Sequence, residues 1–427
     1  MSTVASGQVL GWAPRGLIEL QDGQAPLPPA GVDGLVAVAL SWRNGALHSI
    51  SPVEGNHPVP QRLLLPRLVE PHAHLDKAFS WNQAPNLGGT YSGALEANLH
   101  EHHARTQVQV RERAERALAL AFRQGLRAIR SHVDSVGPGA ACSWEALLDA
   151  QRCWRERISL QLVALGPIEH WSTADGQALA RRVSAAGGLL GGVLVPPCSG
   201  GAIRKALVQL LRLADQLGCG LDLHIDESQT GPAEGLIQLL RALDQAPVQV
   251  PITCSHASSL SLLPDRRLQR LIARMAHHRL QVIALPITNA WLLGRREGKS
   301  PLVRPQAPIR QLQRGGVRVA VGADNVQDPW FPGGNFDPLA LMAQVLPLAQ
   351  LAPWERLGLM PFTTEAARVL ALSWDGTLRV GAPADLLILK AASWVEALAQ
   401  PPARELVVAG VPLPSSGSAQ ILHTERP

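Results

Sequence analysis

Lysine is scarce in this 427-residue chain. There are four, Lys77, Lys205, Lys299 and Lys390, so nearly all of the 39 basic residues are arginines. Against 34 acidic residues the formal net charge is only +5. The arginines are scattered along helix-like segments instead of forming a stripe, so a nucleic-acid partner is not expected. No stretch of about 18 apolar residues occurs, which excludes a membrane-spanning helix. The beginning, MSTVASGQVLGWAPRG, has no basic start followed by an apolar run, so no secretory signal is expected. The five cysteines, Cys142, Cys153, Cys198, Cys219 and Cys254, form no CxxC pair. Their odd number and wide spacing fit free thiols in a reducing cytoplasm. No GxGxxG follows the first strand-like run of the alternating region described below. The glycines at 187–192 and 200–201 lack the Lys-Ser/Thr of a phosphate loop. Charged residues make up 17% and hydrophobic residues 46%, a ratio that supports a large core and excludes wholesale disorder.

What the chain does have is alternation. Strand-like apolar runs fall at 67–74, 128–134, 158–165, 189–195, 219–225, 250–256, 280–286 and 318–324. Helix-like segments follow them at about 108–124, 143–156, 175–186, 202–217, 233–245, 265–278, 307–314 and 336–350. Eight strands alternating with eight helices predict an α/β fold, a (β/α)8 barrel of the TIM type. An open doubly wound sheet is the alternative, disfavoured by the missing glycine fingerprint. Short β-like pieces at 16–65 and after about 375 predict a small β-sandwich domain built from both termini, residues 1–65 plus 375–427. The barrel then spans 66–374. Length alone suggests roughly three domains; this reading reduces them to two. Three stretches, 75–103, 287–306 and 325–335, read as long loops leaving barrel strands, where substrate handling is expected.

Polar residues with metal-binding chemistry cluster at the strand ends. His72 and His74, in PHAHLDK, are spaced i and i+2, which points both imidazoles to one side of a strand. His224 ends strand five, His256 strand six and Asp324 strand eight. Such a nitrogen and oxygen set suits one divalent transition metal with an open position for water. Glu227, three residues past His224, is placed to take a proton from that water and pass it on; capping the following helix is its structural alternative.

PHAHLDK, LHIDE, CSHASS, LPITNAWLLGR and GADNVQDPWFP, in this order, resemble the cytosine deaminase-like members of the amidohydrolase superfamily, a group that includes the ammelide-type triazine aminohydrolases. The resemblance covers about 66–340, and GTLRVGAPADLLIL resembles the returning strand of the superfamily's β domain. It implies that His72, His74, His224 and Asp324 are metal ligands and Glu227 the proton shuttle. It also implies that His256 stabilises the oxyanion-like intermediate, that Asp324 helps activate the water and that Trp330 lines the base pocket. One Fe2+ or Zn2+ ion would lower the pKa of water toward about 7 for attack on an amidine-like ring carbon.

Two positions depart from cytosine deaminase. Pro167 stands where a glutamine binds the pyrimidine edge, and Asn325 replaces an acidic residue. The resemblance therefore does not carry cytosine over as the substrate, although the hydrolytic set is intact. Glu169 is a candidate contact to a more cationic or donor-rich substrate, with a solvated loop carboxylate as its alternative. His132 and Asp134 repeat the i, i+2 geometry and read as support for the ligands. Asp76 and Lys77 are candidates to line the pocket or pin the first loop, and Trp81 and Tyr91 to form a lid. Asn289 and Trp291 follow strand seven and are candidates to reach the substrate. His100, Glu101, His102 and His103 read as a solvated surface cluster. The expected function is deamination of a small nitrogen heterocycle such as an aminopyrimidine. Hydrolysis of a ring amide and removal of a substituted amine from a triazine are the enzymatic alternatives, and a metal-free ligand-binding homologue is the alternative from another class. Oligomeric state stays open.

Overall fold

The computed structural model of the chain describes residues 5–53 and 60–413. Parts of the expected β domain, at 1–4, 54–59 and 414–427, lie outside the described residues, as does the start of the stretch searched for a secretory signal.

Two sheets organise the chain. The first has seven strands from both ends of the sequence: β1 (Gly7–Pro14), β2 (Leu35–Arg43), β3 (Ala46–Pro52), β4 (Leu63–Pro66), then β13 (Leu386–Leu389), β14 (Arg404–Val408) and β15 (Val411–Pro412). Its two faces are both apolar, and alternation divides their work. Leu64, Leu386 and Ile388 join the sheet's own cluster with Trp42 and Trp374, whereas Leu63, Leu65, Leu387 and Leu389 join the main core of the molecule.

The second sheet is parallel and has eight strands in sequential order: β5 (Leu68–Ala73), β6 (Leu126–Asp134), β7 (Ser159–Leu165), β8 (Leu189–Leu194), β9 (Leu221–Ile225), β10 (Ile252–His256), β11 (Gln281–Ala284) and β12 (Arg318–Val321). Helices α1 (Tyr91–Ala104), α2 (Gln107–Arg123), α3 (Ala140–Trp154), α4 (Ala174–Ala185), α5 (Gly201–Leu217), α6 (Glu234–Gln245), α7 (Asp265–His277), α8 (Pro286–Leu292), α9 (Ile309–Arg314) and α10 (Pro338–Ala349) lie between and after these strands, and three short ones follow, α11 (Arg356–Leu359), α12 (Thr364–Val369) and α13 (Trp394–Ala399). The sheet closes where the first strand meets the chain beyond the eighth. Ala73 and Asp324 form a parallel bridge, and the Asp324 amide donates to the His72 carbonyl at 3.0 Å. The Glu70 carboxylate staples the same seam by accepting from the amides of His72 and Ala323, each at 3.1 Å. A side chain at Gly322 would meet that carboxylate at 2.7 Å and push it from the seam. The fold is thus the TIM-type barrel with a terminal β unit.

Two of the stretches read as loops contain helix. The segment 75–103 carries most of α1, and 287–306 begins inside α8. Helix α1 escapes pattern reading because its exposed leucines break the usual apolar stripe; Thr90 caps it by accepting from the Gly93 amide at 3.1 Å.

Candidate metal centre and active site

His72 stands one residue before the end of strand β5, with its ring buried inside the barrel. Its Nδ1 lies 3.0 Å from Ser255 Oγ, which donates its own proton to Asp222 Oδ1 at 2.6 Å. Ser255 must then accept from His72, which puts the ring proton on Nδ1 and leaves the Nε2 lone pair free. Asp222 is held in turn by Arg130 Nη1 at 2.7 Å. Each member of this chain is buried.

The free nitrogens converge. His72 Nε2 and His74 Nε2 lie 3.4 and 3.2 Å from Asp324 Oδ1, and His224 Nε2 lies 3.4 Å from His74 Nε2. Donors bonded to one cation at about 2.1 Å sit about 3.0–3.4 Å apart, so these spacings fit a shared metal ion. His72 Nε2 and both Asp324 oxygens are buried without a hydrogen-bonding partner, which a cation would supply. Burial holds the three imidazoles neutral: His74 falls to about 3, and His72 and His224 stand well below the usual histidine value. No proton therefore competes for their lone pairs at neutral pH. Burial also raises Asp324, to about 6.

Glu227 and His256 stand beside this group. Asn289 Nδ2 lies 3.0 Å from His256 Nδ1 and donates to Glu227 Oε1 at 3.3 Å. With Nδ1 accepting from Asn289, the His256 proton resides on Nε2, which has no protein partner. Burial, reinforced by the charge of Asp324, pushes the Glu227 carboxyl well above the usual range. The helix-capping alternative belongs to its neighbour: Asp226 accepts from the amides of Gly235 and Leu236 at 2.8 and 2.9 Å, at the start of α6. His256 and Asp324 both have left-handed backbones, with φ of 68° and 67°, a conformation costly for side chains with a Cβ and common at functional sites.

These groups open into a cavity of about 550 Å3. His74, His224, Glu227, His256 and Asp324 line it, as do Asn325, Trp330, Pro167 and Glu169. Asn325 donates to Asp328 Oδ2 at 2.8 Å, and Asp328 Oδ1 accepts from the Trp330 amide at 2.9 Å. Tyr91 meets the Trp330 ring edge to face, with centroids 5.0 Å apart. Lys77 lines the wall and bonds Asp134 at 2.8 Å; Arg105 bridges Asp76 and Asp134 at 2.8 and 3.2 Å. Burial opposes the charge on Lys77, but Asp134 and Asp76 outweigh it and raise the lysine.

Three readings need adjustment. Glu101 and His102 are buried and not solvated: Glu101 pairs with Arg105 and Arg113, and His102 Nε2 meets the Val136 carbonyl at 3.1 Å. Only His100 and His103 of that cluster are exposed. His132 lies against His72, ring centroids 4.0 Å apart, with Nε2 3.7 Å from Asp222 Oδ2; neither ring nitrogen makes a hydrogen bond, so it reaches the ligands by packing and not by hydrogen bonding. Trp81 does not appear among the residues lining the cavity, whereas Tyr91 does. Glu70, Asp222, Ser255 and Asp328 were not identified from the sequence.

Residues 92–414 match the amidohydrolase family. The chain belongs to that family. A pterin deaminase of Rhizobium rhizogenes is 30% identical over 348 residues, which is 81% of this chain and 79% of the relative. An N-isopropylammelide isopropyl amidohydrolase of a Pseudomonas species is 23% identical over 338 residues, covering 78% and 80%. Among solved structures, a 5-methylcytosine deaminase from Klebsiella pneumoniae superposes with a TM-score of 0.80 at 23% identity, covering 97% of this chain and 99% of the other. This amidohydrolase is an enzyme, a hydrolase of non-peptide C–N bonds. No helix among its described residues is long and apolar enough to cross a membrane.

Proposed function

We propose that this amidohydrolase is a metal-dependent deaminase of an aminated nitrogen heterocycle, and that a pterin-type bicycle is its substrate class. The observation that carries the reading is the convergence of His72, His74, His224 and Asp324 beside Glu227 and His256 at one cavity. Two observations count against cytosine itself. Pro167 stands exposed at the cavity and offers no side-chain donor or acceptor. Asn325 already spends one amide proton on Asp328. The 30% identity to a pterin deaminase supports the same class.

His72, His74, His224 and Asp324 would hold one divalent ion, Fe2+ or Zn2+, which when bound supplies water acidified toward about pKa 7. Glu227 receives a proton and returns it to the departing ring amine, a task suited to a carboxyl whose proton affinity burial has raised well above the usual carboxylate range. His256, its proton fixed on Nε2 by Asn289, donates to the oxygen that gains negative charge at the attacked carbon. The Asn289 amide holds Glu227 and His256 3.4 Å apart, in register with one another. Trp330 and Tyr91 offer an aromatic wall to a flat ring.

Release of ammonia or alkylamine from 2-amino-4-oxopteridine, cytosine and an N-alkylaminotriazine, measured side by side, tests the assignment. The expected kcat/KM for the pteridine exceeds that for cytosine by about tenfold or more. A preference for cytosine would overturn the substrate class, and release of an alkylamine in place of ammonia would favour the triazine-type reaction.

A further inference from the structure

The cavity changes character from depth to mouth. Its buried lining is polar: His74, Lys77, Asn98, His224, Glu227 and Asp324. Its exposed lining is mostly apolar. Leu95 and Leu99, on α1, are 44% and 49% exposed; Val136, just past β6, is 39% and Val193, in β8, 38%. All four line the same cavity as His74 and Glu227. Soluble proteins seldom leave several large aliphatic side chains open together without a use for them. Tyr91, Leu95, Asn98, Leu99 and His102 all lie on one face of α1, so the helix presents a single stripe to the cavity, polar where it is buried and leucine where it is open. The cavity volume of about 550 Å3 falls in the range, about 300–1,000 Å3, of pockets that take drug-sized ligands, larger than one aminated ring.

We propose that this mouth is a subsite for an uncharged apolar substituent, alkyl or aryl, carried by the substrate ring on the side away from the reacting carbon. Its occupant follows from continuity: a ring seated among the polar groups at depth directs any substituent along its free edge toward Leu95, Leu99, Val136 and Val193. Glu169, exposed at the same cavity, disfavours an anionic substituent there. The location of the ring rests on the deaminase reading; the apolar mouth itself does not.

The test uses the full-length, metal-loaded protein and 2-amino-4-oxopteridines bearing methyl, butyl, hexyl or carboxypentyl groups at position 6. Binding is measured by calorimetry and ammonia release by kinetics. Affinity is expected to rise about three- to fourfold per methylene over the first few carbons. The carboxypentyl compound is expected to bind more weakly than the hexyl one. In the L95S/L99S double variant, whose changes are at exposed positions, the dependence on chain length is expected to flatten. A flat series in the wild type, or an equal slope in the double variant, would overturn the subsite. So would a change in sedimentation of the double variant together with a flat series, which would mark the mouth as a contact between copies of the chain. If none of these compounds releases ammonia, the deaminase reading fails, while the calorimetric slope still decides the subsite.

Discussion

Replacing Glu227 by glutamine is expected to lower kcat about 10²- to 10⁴-fold, the usual contribution of a positioned acid–base group. Glutamine has the same shape and can still accept from Asn289 Nδ2, now at 3.3 Å from Oε1, so the cavity should keep its form. What it cannot do is take up and return a proton. Stability should move the other way in metal-free protein. The folded carboxyl of Glu227 titrates well above its unfolded value because burial disfavours its charge and Asp324 repels it. Between the unfolded pKa and the folded one, the native state binds more protons than the unfolded state, so stability falls as pH rises. The neutral amide removes that dependence. The Tm of metal-free Glu227→Gln should therefore exceed that of the metal-free wild type by more at pH 7 than at pH 5. Deaminase activity near the wild-type level in this variant would remove Glu227 from the chemistry.

The second large effect concerns His72. Its Nε2 is one of the converging donors, and its Nδ1 is anchored through Ser255, Asp222 and Arg130. His72→Ala is expected to purify with less than stoichiometric metal and without measurable ammonia release. Ser255→Ala keeps all of the converging donors but removes the group that fixes the His72 tautomer. Loss of such a support typically weakens metal affinity about 10- to 100-fold. A chelator-competition titration reads that loss, and the activity of Ser255→Ala should return when metal is raised in proportion. If Ser255→Ala binds metal as tightly as the wild type, the hydrogen-bond chain does not orient His72.

Periodicity made most of this legible. All eight barrel strands overlap the expected runs, because a parallel sheet covered on both faces is written as short apolar segments between amphipathic helices. His72, His74 and His224 could be placed from strand parity. The same parity also held a signal that was not used. Glu70, Arg130 and Asp222 each stand two residues before a barrel histidine, at 72, 132 and 224, so each points to the same interior face. A charged residue at an inward position of an apolar strand is costly unless paired, and here all three are hydrogen-bonded inside the barrel. His256 obeys no such rule. Ser255 points inward to His72 and Asp222, so an extended strand would turn His256 away; its left-handed backbone brings it back to the cavity. Nothing in a single sequence reports a φ of 68° at a histidine. Helix α1 was hidden for a related reason: its open leucines serve the cavity and not the core, so the usual apolar stripe is absent.

The central claim is that ammonia release depends on a divalent ion held by His72, His74, His224 and Asp324. It is tested most directly by assaying the wild-type protein on 2-amino-4-oxopteridine after removal of metal and again after adding one equivalent of Zn2+ or Fe2+. Activity that disappears on stripping and returns with a single equivalent is the predicted result. Equal ammonia release from stripped and reloaded protein would contradict it.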